Sequence, residues 1–107
     1  MPDLPPAIAA YFETDHDADV MALQAFFTAD AHVHDEHHDY RGIDAIRDWR
    51  RDSYAKTPFT ALPLDLLDSD GTLVVPAEVS GAFPNSPLTL DHRFTLVDGR
   101  IAALEIG

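Results

Sequence analysis

Two Asp-Gly pairs, Asp70-Gly71 and Asp98-Gly99, restrict the fold of this chain most, because each stands between two largely apolar runs. Asp-Gly in that setting is the strongest short-range signal for a β-hairpin. Together with a proline-bounded turn at 84–87, the pairs separate four runs in the second half: 60–68, 72–83, 87–97 and 100–107. We therefore predict four sequential antiparallel strands.

Two of these runs contain a proline, Pro63 and Pro76. Proline cannot donate a backbone hydrogen bond to a neighbouring strand, so each is expected at a sheet edge or a β-bulge. Pro76 is also expected to bend the long second run.

The first half of the chain begins with two segments of helical periodicity. Pro5 and Pro6 suit the first turn of a short helix, in which Ile8, Tyr11 and Phe12 fall on one face. A second amphipathic helix is predicted to follow an N-cap at Asp15 or Asp17 and to run to about Thr28.

From Ala31 the pattern changes to the alternation of a strand, and after Gly42 it returns to helical spacing. This third helix must end before Pro58, because the residue before a proline avoids helical geometry. Its apolar face carries Ile43, Ile46 and Trp49. Its other face is predicted to be solvated and carries Arg47, Asp48, Arg50, Arg51 and Asp52.

Three helices followed by a curved antiparallel sheet predict an α+β domain in which the sheet wraps a helix and encloses a pocket. The 107 residues are enough for one hydrophobic core and too few for two, so residues 1–107 are expected to form a single domain.

The charge balance argues against two classes of partner. Nineteen acidic and seven basic residues leave a net charge of −12, a field that repels nucleic acid and anionic membrane surfaces. The chain has no cysteine, which excludes disulfides, thiolate metal sites and a cysteine nucleophile. The start of the chain carries an acid and three prolines where a signal peptide would be basic and then apolar, so a cytoplasmic protein is expected.

The densest cluster of titratable residues is the segment 31–42, "AHVHDEHHDYRG". His32 and His34 are two apart on a strand and share a face, so they could supply two ligands of a zinc or iron site, with Glu36, His37 or His38 nearby. No known metal-ligand spacing is matched, and that face is opposite the one that carries Asp35. We therefore expect a solvated cluster with no metal.

Three passages resemble one family. They are "LQAFFTADAHVHDE", "YRGIDAIRDW" and "DHRFTLVDGRI", and their order and separation cover nearly the whole chain. The sequence is similar to the nuclear transport factor 2-like superfamily, close to its SnoaL-like and ketosteroid isomerase-like members. The resemblance implies a cystatin-like α+β cone, but it does not name a reaction, because one fold hosts many functions.

Aligned with the ketosteroid isomerase pattern, three residues fall on functional positions. The resemblance implies that Asp35 is a general base, that Tyr11 donates a hydrogen bond to the substrate oxygen, and that Asp91 is a protonated acid beside it.

The residue pattern itself supports Asp35 as the base, but it leaves two candidates, Asp91 and His92, for the third role. Asp35 shares its strand face with Ala31 and Val33, and desolvation there would raise its pKa toward values useful for proton transfer. On the later strand strict alternation turns His92 inward and Asp91 outward, whereas a bulge would reverse this. His92 and Asp91 are therefore rivals for one role, and His92 opposite Asp35 could shuttle a proton near neutral pH.

The pocket walls are expected to come from aromatic residues of helices and sheet: Phe12, Phe26, Trp49, Tyr54 and Phe83. Trp49 and Tyr54 are five residues apart and cannot point the same way on a regular helix. One of them is expected at the pocket or at a subunit interface.

These observations lead to two hypotheses of different classes. The first is a protein that binds a small apolar carbonyl compound and, if it is an enzyme, moves a proton on it as an isomerase, cyclase or dehydratase without a cofactor. The second is a non-catalytic ligand-binding or dimerisation domain of the same fold. In either case a homodimer is expected, because the last predicted strand is followed by nothing that would cover the sheet or the pocket mouth.

Overall fold

Three helices pack against one face of a curved seven-stranded sheet in the computed structural model, which describes residues 3–107. The helices are α1 (Pro6–Glu13), α2 (Val20–Leu23) and α3 (Ile43–Lys56). The strands are β1 (Phe27–Asp35), β2 (His38–Arg41), β3 (Phe59–Pro63), β4 (Leu67–Ser69), β5 (Thr72–Gly81), β6 (Leu88–Val97) and β7 (Arg100–Ile106). The α+β architecture predicted from the sequence is confirmed.

The sheet is mixed rather than purely antiparallel. Its strand order is β2-β1-β7-β6-β5-β3, and β4 pairs with β5 beside β3. All neighbouring pairs are antiparallel except β1 and β7, which run parallel. Sequence patterns predict local hairpins well, but a pairing between distant segments leaves no local signal.

The second helix is shorter than predicted and begins later. Its N-cap is Asp19, whose Oδ1 accepts a hydrogen bond from the backbone N–H of Ala22 at 3.0 Å, so the predicted caps at Asp15 and Asp17 are wrong. The helix ends at Leu23 because the chain soon joins the sheet: the backbone N–H of Ile101 donates to the Phe26 carbonyl at 2.7 Å.

Strand β2 was missed by the sequence patterns. It forms a hairpin with β1, in which Asp35 pairs with His38 across the two-residue turn Glu36-His37. Both turn residues have positive φ, 51° and 67°, a geometry that usually calls for glycine or asparagine. The turn was not recognised because neither of these residues is present.

The predicted strand at 60–68 is divided into β3 and β4, and both pair with β5. Pro76 of β5 lies opposite the break, where its carbonyl accepts a hydrogen bond from Leu64 N–H at 2.8 Å. The missing N–H of Pro76 therefore faces the break between β3 and β4, where no strand needs it as a donor. Pro63 is the last residue of the edge strand β3, as expected.

The core lies between the helices and the sheet. Its largest fully buried side chains are Phe27, Phe94, Ile8, Leu23, Ile46, Ile101, Leu104, Val33 and Val75. None of the helices within residues 3–107 is long and apolar enough to cross a membrane.

Candidate functional site

A cavity of about 560 Å³ lies between the helices and the sheet. Its walls come from α1, α3 and the strands β1, β3, β5, β6 and β7, together with the segments around His16 and Phe83. The lining combines aromatic and aliphatic side chains with titratable groups of both charges, a composition that suits a small-molecule site.

Asp35 lies at the end of β1 and lines this cavity. Ala31 and Val33 on the same strand face are fully buried, so the alternation that predicted an inward carboxylate is confirmed. Trp49 Nε1 donates a hydrogen bond to Asp35 Oδ2 at 3.1 Å. Partial burial raises the pKa of Asp35, and the Trp49 hydrogen bond opposes that rise because it stabilises the carboxylate.

Tyr11 of α1 also lines the cavity, and its ring is held among aromatic neighbours. The ring meets Phe12 and Phe94 edge to face, with centroids 5.1 and 5.5 Å apart. Burial raises the pKa of Tyr11 to about 12, with the Arg50 charge lowering it and the Asp35 charge raising it. The hydroxyl therefore stays protonated at neutral pH and can donate a hydrogen bond.

His92 lies inside the fold, as strict alternation along β6 predicted, and it lines the cavity with only 4% of its surface exposed. Its Nδ1 donates to the Leu90 carbonyl at 3.2 Å, because a carbonyl oxygen can only accept. Burial lowers the pKa of His92 from 6.5 to about 4. At neutral pH the ring is thus uncharged with its proton on Nδ1, a state that does not shuttle a proton near neutrality.

Asp91 does not reach the cavity, which corrects the role that the family resemblance implied. The register between β5 and β6 is continuous from Leu88 to Phe94, so no bulge turns Asp91 inward. Its carboxylate instead lies 3.6 Å from the Arg93 guanidinium on the opposite face of β6.

Of the five predicted aromatic walls, the four that line the cavity are Phe12, Trp49, Tyr54 and Phe83. Phe26 does not, because it immediately precedes β1 and is buried in the core against Phe27, with ring centroids 5.0 Å apart. Trp49 and Tyr54 both line the cavity, since a broad face of α3 borders it. Tyr54 is half-exposed and stacks on His16 with centroids 4.5 Å apart, which places this pair at the rim.

Arg50 is a buried cavity residue that sequence reasoning missed, and the more exposed His16, Glu36 and Lys56 also line the cavity without having been predicted there. Arg50 was assigned to the solvated face of the third helix, yet only 4% of it is exposed and it lines the cavity. Its guanidinium carbon lies 5.1 Å from the centre of the Tyr11 ring. The signal was present in the spacing, because Arg50 stands four positions after Ile46 and seven after Ile43, on the buried side of the helix.

The histidines of the 31–42 segment lie apart from the cavity. His32 Nε2 and His34 Nδ1 both contact Asp39 Oδ1, at 2.8 and 2.9 Å, on the face of β1 opposite Asp35. These contacts lower the pKa of Asp39. Among residues 3–107 no group of three histidine, aspartate or glutamate side chains is arranged to hold a metal ion.

Comparison with known proteins agrees with this architecture. Residues 8–104 match the family model of the SnoaL-like domain. A candidate polyketide cyclase from Sinorhizobium meliloti is 41% identical, with 98% of this chain and 96% of that chain covered and a TM-score of 0.89. No curated protein sequence matches the chain.

Two more distant crystal structures share the fold. One is a candidate SnoaL-like polyketide cyclase from Jannaschia, with 16% identity, coverage of 98% and 89%, and a TM-score of 0.75. The other, from Catenulispora acidiphila, has a ketosteroid isomerase-like fold and was solved with trimethylamine; its identity is 16%, its coverage 98% and 86%, and its TM-score 0.76. The chain therefore belongs to the SnoaL-like domain family.

Proposed function

We propose that the cavity binds a small, mostly apolar organic molecule with a carbonyl group, and that Asp35 transfers a proton on it without a cofactor. The observation that carries this proposal is the position of Asp35, a partly buried carboxylate with a raised pKa, on the same cavity as the protonated Tyr11 hydroxyl. Perturbed carboxylates that face a cavity are typical of proton-transfer sites.

In this reaction Asp35 removes a proton from the carbon next to the substrate carbonyl. The electron pair of the broken C–H bond moves into the developing enolate, whose oxygen accepts a hydrogen bond from the Tyr11 hydroxyl. Asp35 then returns the proton to another carbon, which gives an isomerase. If the enolate carbon instead attacks a second carbonyl carbon of the same molecule, the new C–C bond closes a ring and the π electron pair of that carbonyl moves onto its oxygen. This oxygen takes the proton from Asp35, and the enzyme is a cyclase.

The raised pKa of Asp35 matters because a general base works best when its pKa is near the working pH. The resemblance to a candidate polyketide cyclase supports the cyclase form of the reaction. His92 has no proton-transfer role in this scheme, because burial lowers its pKa to about 4 and its Nδ1 hydrogen is already donated to Leu90.

Hydrogen–deuterium exchange tests the proposal. We expect the protein to accelerate deuterium uptake at the carbon next to the carbonyl of 2-tetralone in D₂O, followed by proton NMR. D35N should lose this acceleration by a factor of about 100 or more, because it lacks the base. Y11F should lose about tenfold or more, because it lacks the donor to the enolate oxygen.

D91N is the matched control, since Asp91 is a second aspartate that lies outside the cavity. It should exchange at the wild-type rate. Exchange by D35N at the wild-type rate would contradict the role of Asp35. Binding of 2-tetralone without exchange by the wild type would instead favour the non-catalytic binding domain.

A further inference from the structure

Arg50 is a buried cation without a counter-ion in the described part of the chain. One of its Nη2 hydrogens is donated to the Thr14 carbonyl at 3.0 Å, whereas the buried Nε has no hydrogen-bond partner. No carboxylate of residues 3–107 lies within 4.0 Å of the guanidinium nitrogens. A guanidinium offers five N–H donors, so most of its hydrogen-bonding capacity is unused.

A buried guanidinium without a counter-ion is energetically unfavourable unless another group supplies the missing negative charge and hydrogen-bond acceptors. Buried charges in proteins are normally paired, because their removal from water costs more than the protein recovers without a partner. Nineteen acidic side chains are available in this chain, yet none is placed against Arg50. Arg50 lines the cavity, so a ligand can supply the missing negative charge.

We propose that the molecule bound in this cavity is a carboxylate, and that Arg50 binds its carboxyl group. The planar fork of a guanidinium matches the two oxygens of a carboxylate and can hold them with two parallel hydrogen bonds. This proposal rests on the proposed function, of which it specifies the substrate class: a small apolar acid that also carries a carbonyl group.

The position of Tyr11 supports this orientation. The Arg50 guanidinium lies over the Tyr11 ring, and the pKa of the Tyr11 hydroxyl responds to Arg50 and to Asp35 in opposite senses. Arg50, Tyr11 and Asp35 line the same cavity, so a ligand with its carboxyl group on Arg50 can present another part of the same molecule to Tyr11 and Asp35. The anchor and the base would hold two different parts of one molecule.

The test compares two probes of nearly the same size and shape, the anion 4-cyclohexylbutanoate and its neutral amide. Binding is followed by the fluorescence of Trp49, which is the only tryptophan in the chain and lines the cavity. In the wild type the carboxylate should bind at least about tenfold more tightly than the amide, as a charge-assisted pair requires. R50M should remove this preference while it leaves the affinity for the amide within about twofold of wild type.

R51M is the matched control. Arg51 follows Arg50 on α3 and also donates to a backbone carbonyl, that of Asp17 at 3.1 Å, but it is exposed and lies outside the cavity lining. R51M should keep the full preference for the carboxylate. Circular dichroism establishes that each variant folds, and R50Q replaces R50M if the latter does not.

Three results would overturn the inference, and they differ in what they say about the proposed function. Equal binding of both probes by the wild type would exclude the carboxylate preference while it leaves a small-molecule cavity in place. A preference that persists in R50M would exclude Arg50 as the anchor. Binding of neither probe up to about 10 mM would contradict both the inference and the cavity's role as a site for apolar molecules.

Discussion

The Trp49 indole N–H donates a hydrogen bond to Asp35 Oδ2 over 3.1 Å, and this bond joins α3 to the end of β1 at the cavity wall. It holds the carboxylate by one oxygen and leaves the other free of any side-chain hydrogen bond within residues 3–107. The bond also moderates the pKa of Asp35, which burial raises. Trp49 is therefore a positioning residue for the proposed base.

Replacement of Trp49 by phenylalanine should raise the pKa of Asp35 further. The variant loses the hydrogen bond that stabilises the charged carboxylate and keeps an aromatic ring in the same place. Loss of a hydrogen bond to a charged group should also lower the free energy of unfolding by about 2 kcal/mol. Carboxyl chemical shifts followed against pH measure the first effect and urea denaturation the second. A lower pKa of Asp35 in W49F would contradict this assignment.

The free energy of unfolding should fall as the pH is lowered from about 6.5 to about 4, because of His92. Burial lowers the pKa of His92 to about 4 in the folded chain, whereas the unfolded chain protonates it near 6.5. Between these two pH values the unfolded state binds more protons than the folded state. The stabilisation is therefore fully present above about pH 6.5, and the free energy of unfolding falls by about 2–3 kcal/mol as the pH is lowered to about 4.

Urea denaturation of wild type and H92Q across this range measures the difference. H92Q should show a shallower pH dependence, since glutamine does not titrate. H38Q, which replaces an exposed histidine of β2, should retain the wild-type slope. The raised pKa of Asp35 acts in the opposite direction in all three proteins and cancels in the comparison. Equal slopes for wild type and H92Q would refute the prediction.

How far the fold could be predicted from the sequence depends on where the signal lies. The turns at Asp70-Gly71 and Asp98-Gly99 carry their own glycine, and β5, β6 and β7 were predicted close to their observed positions, whereas the predicted strand 60–68 is divided into β3 and β4. The turn at Glu36-His37 has the same left-handed geometry without glycine, so β2 was not predicted. Local chemistry reveals a turn only when the residues match the geometry.

The candidate site was likewise predicted from the sequence only in part. Strand alternation was sufficient to orient Asp35 and His92, because a period of two leaves only two choices. Arg50 was misplaced because a charged side chain suggests solvent, although its spacing from Ile46 fits the buried face of α3. The family resemblance implied an inward Asp91, but the continuous register of β6 excludes it. Here the alternation in the sequence was the better guide.

H37G should raise the free energy of unfolding by about 1 kcal/mol. His37 has a φ of 67°, in the left-handed region where a side chain is strained and glycine is not. G71A is the converse substitution in the turn between β4 and β5, where φ is 87° and an added Cβ would meet nothing within 4 Å. It should lower stability by a similar amount through backbone strain alone. Urea denaturation measures both, and a destabilised H37G would contradict the explanation.

The homodimer predicted from the sequence has a candidate surface on the β3–β4 side of the sheet. Leu62, Leu64 and Leu67 are each about half exposed there. Leu62 is in β3, Leu67 in β4 and Leu64 in the segment between them, and exposed leucines along one edge of a sheet are typical of a subunit contact. Sedimentation equilibrium should therefore give twice the mass of the chain for wild type and the mass of one chain for L62K/L64K. A wild-type protein that sediments as a single chain would refute the dimer.

The parallel pairing of β7 with β1 determines when the sheet can be completed. Phe27 pairs with Ile101, so the first and last strands of the chain meet only after everything between them has been brought together. Because β7 lies between β1 and β6, its absence would leave the β1–β2 hairpin unattached and a central row of backbone groups unpaired. A ribosome-bound chain without β7 could form its later hairpins but not this junction. Long loop closures of this kind slow folding, so the chain should fold in milliseconds to seconds rather than in microseconds.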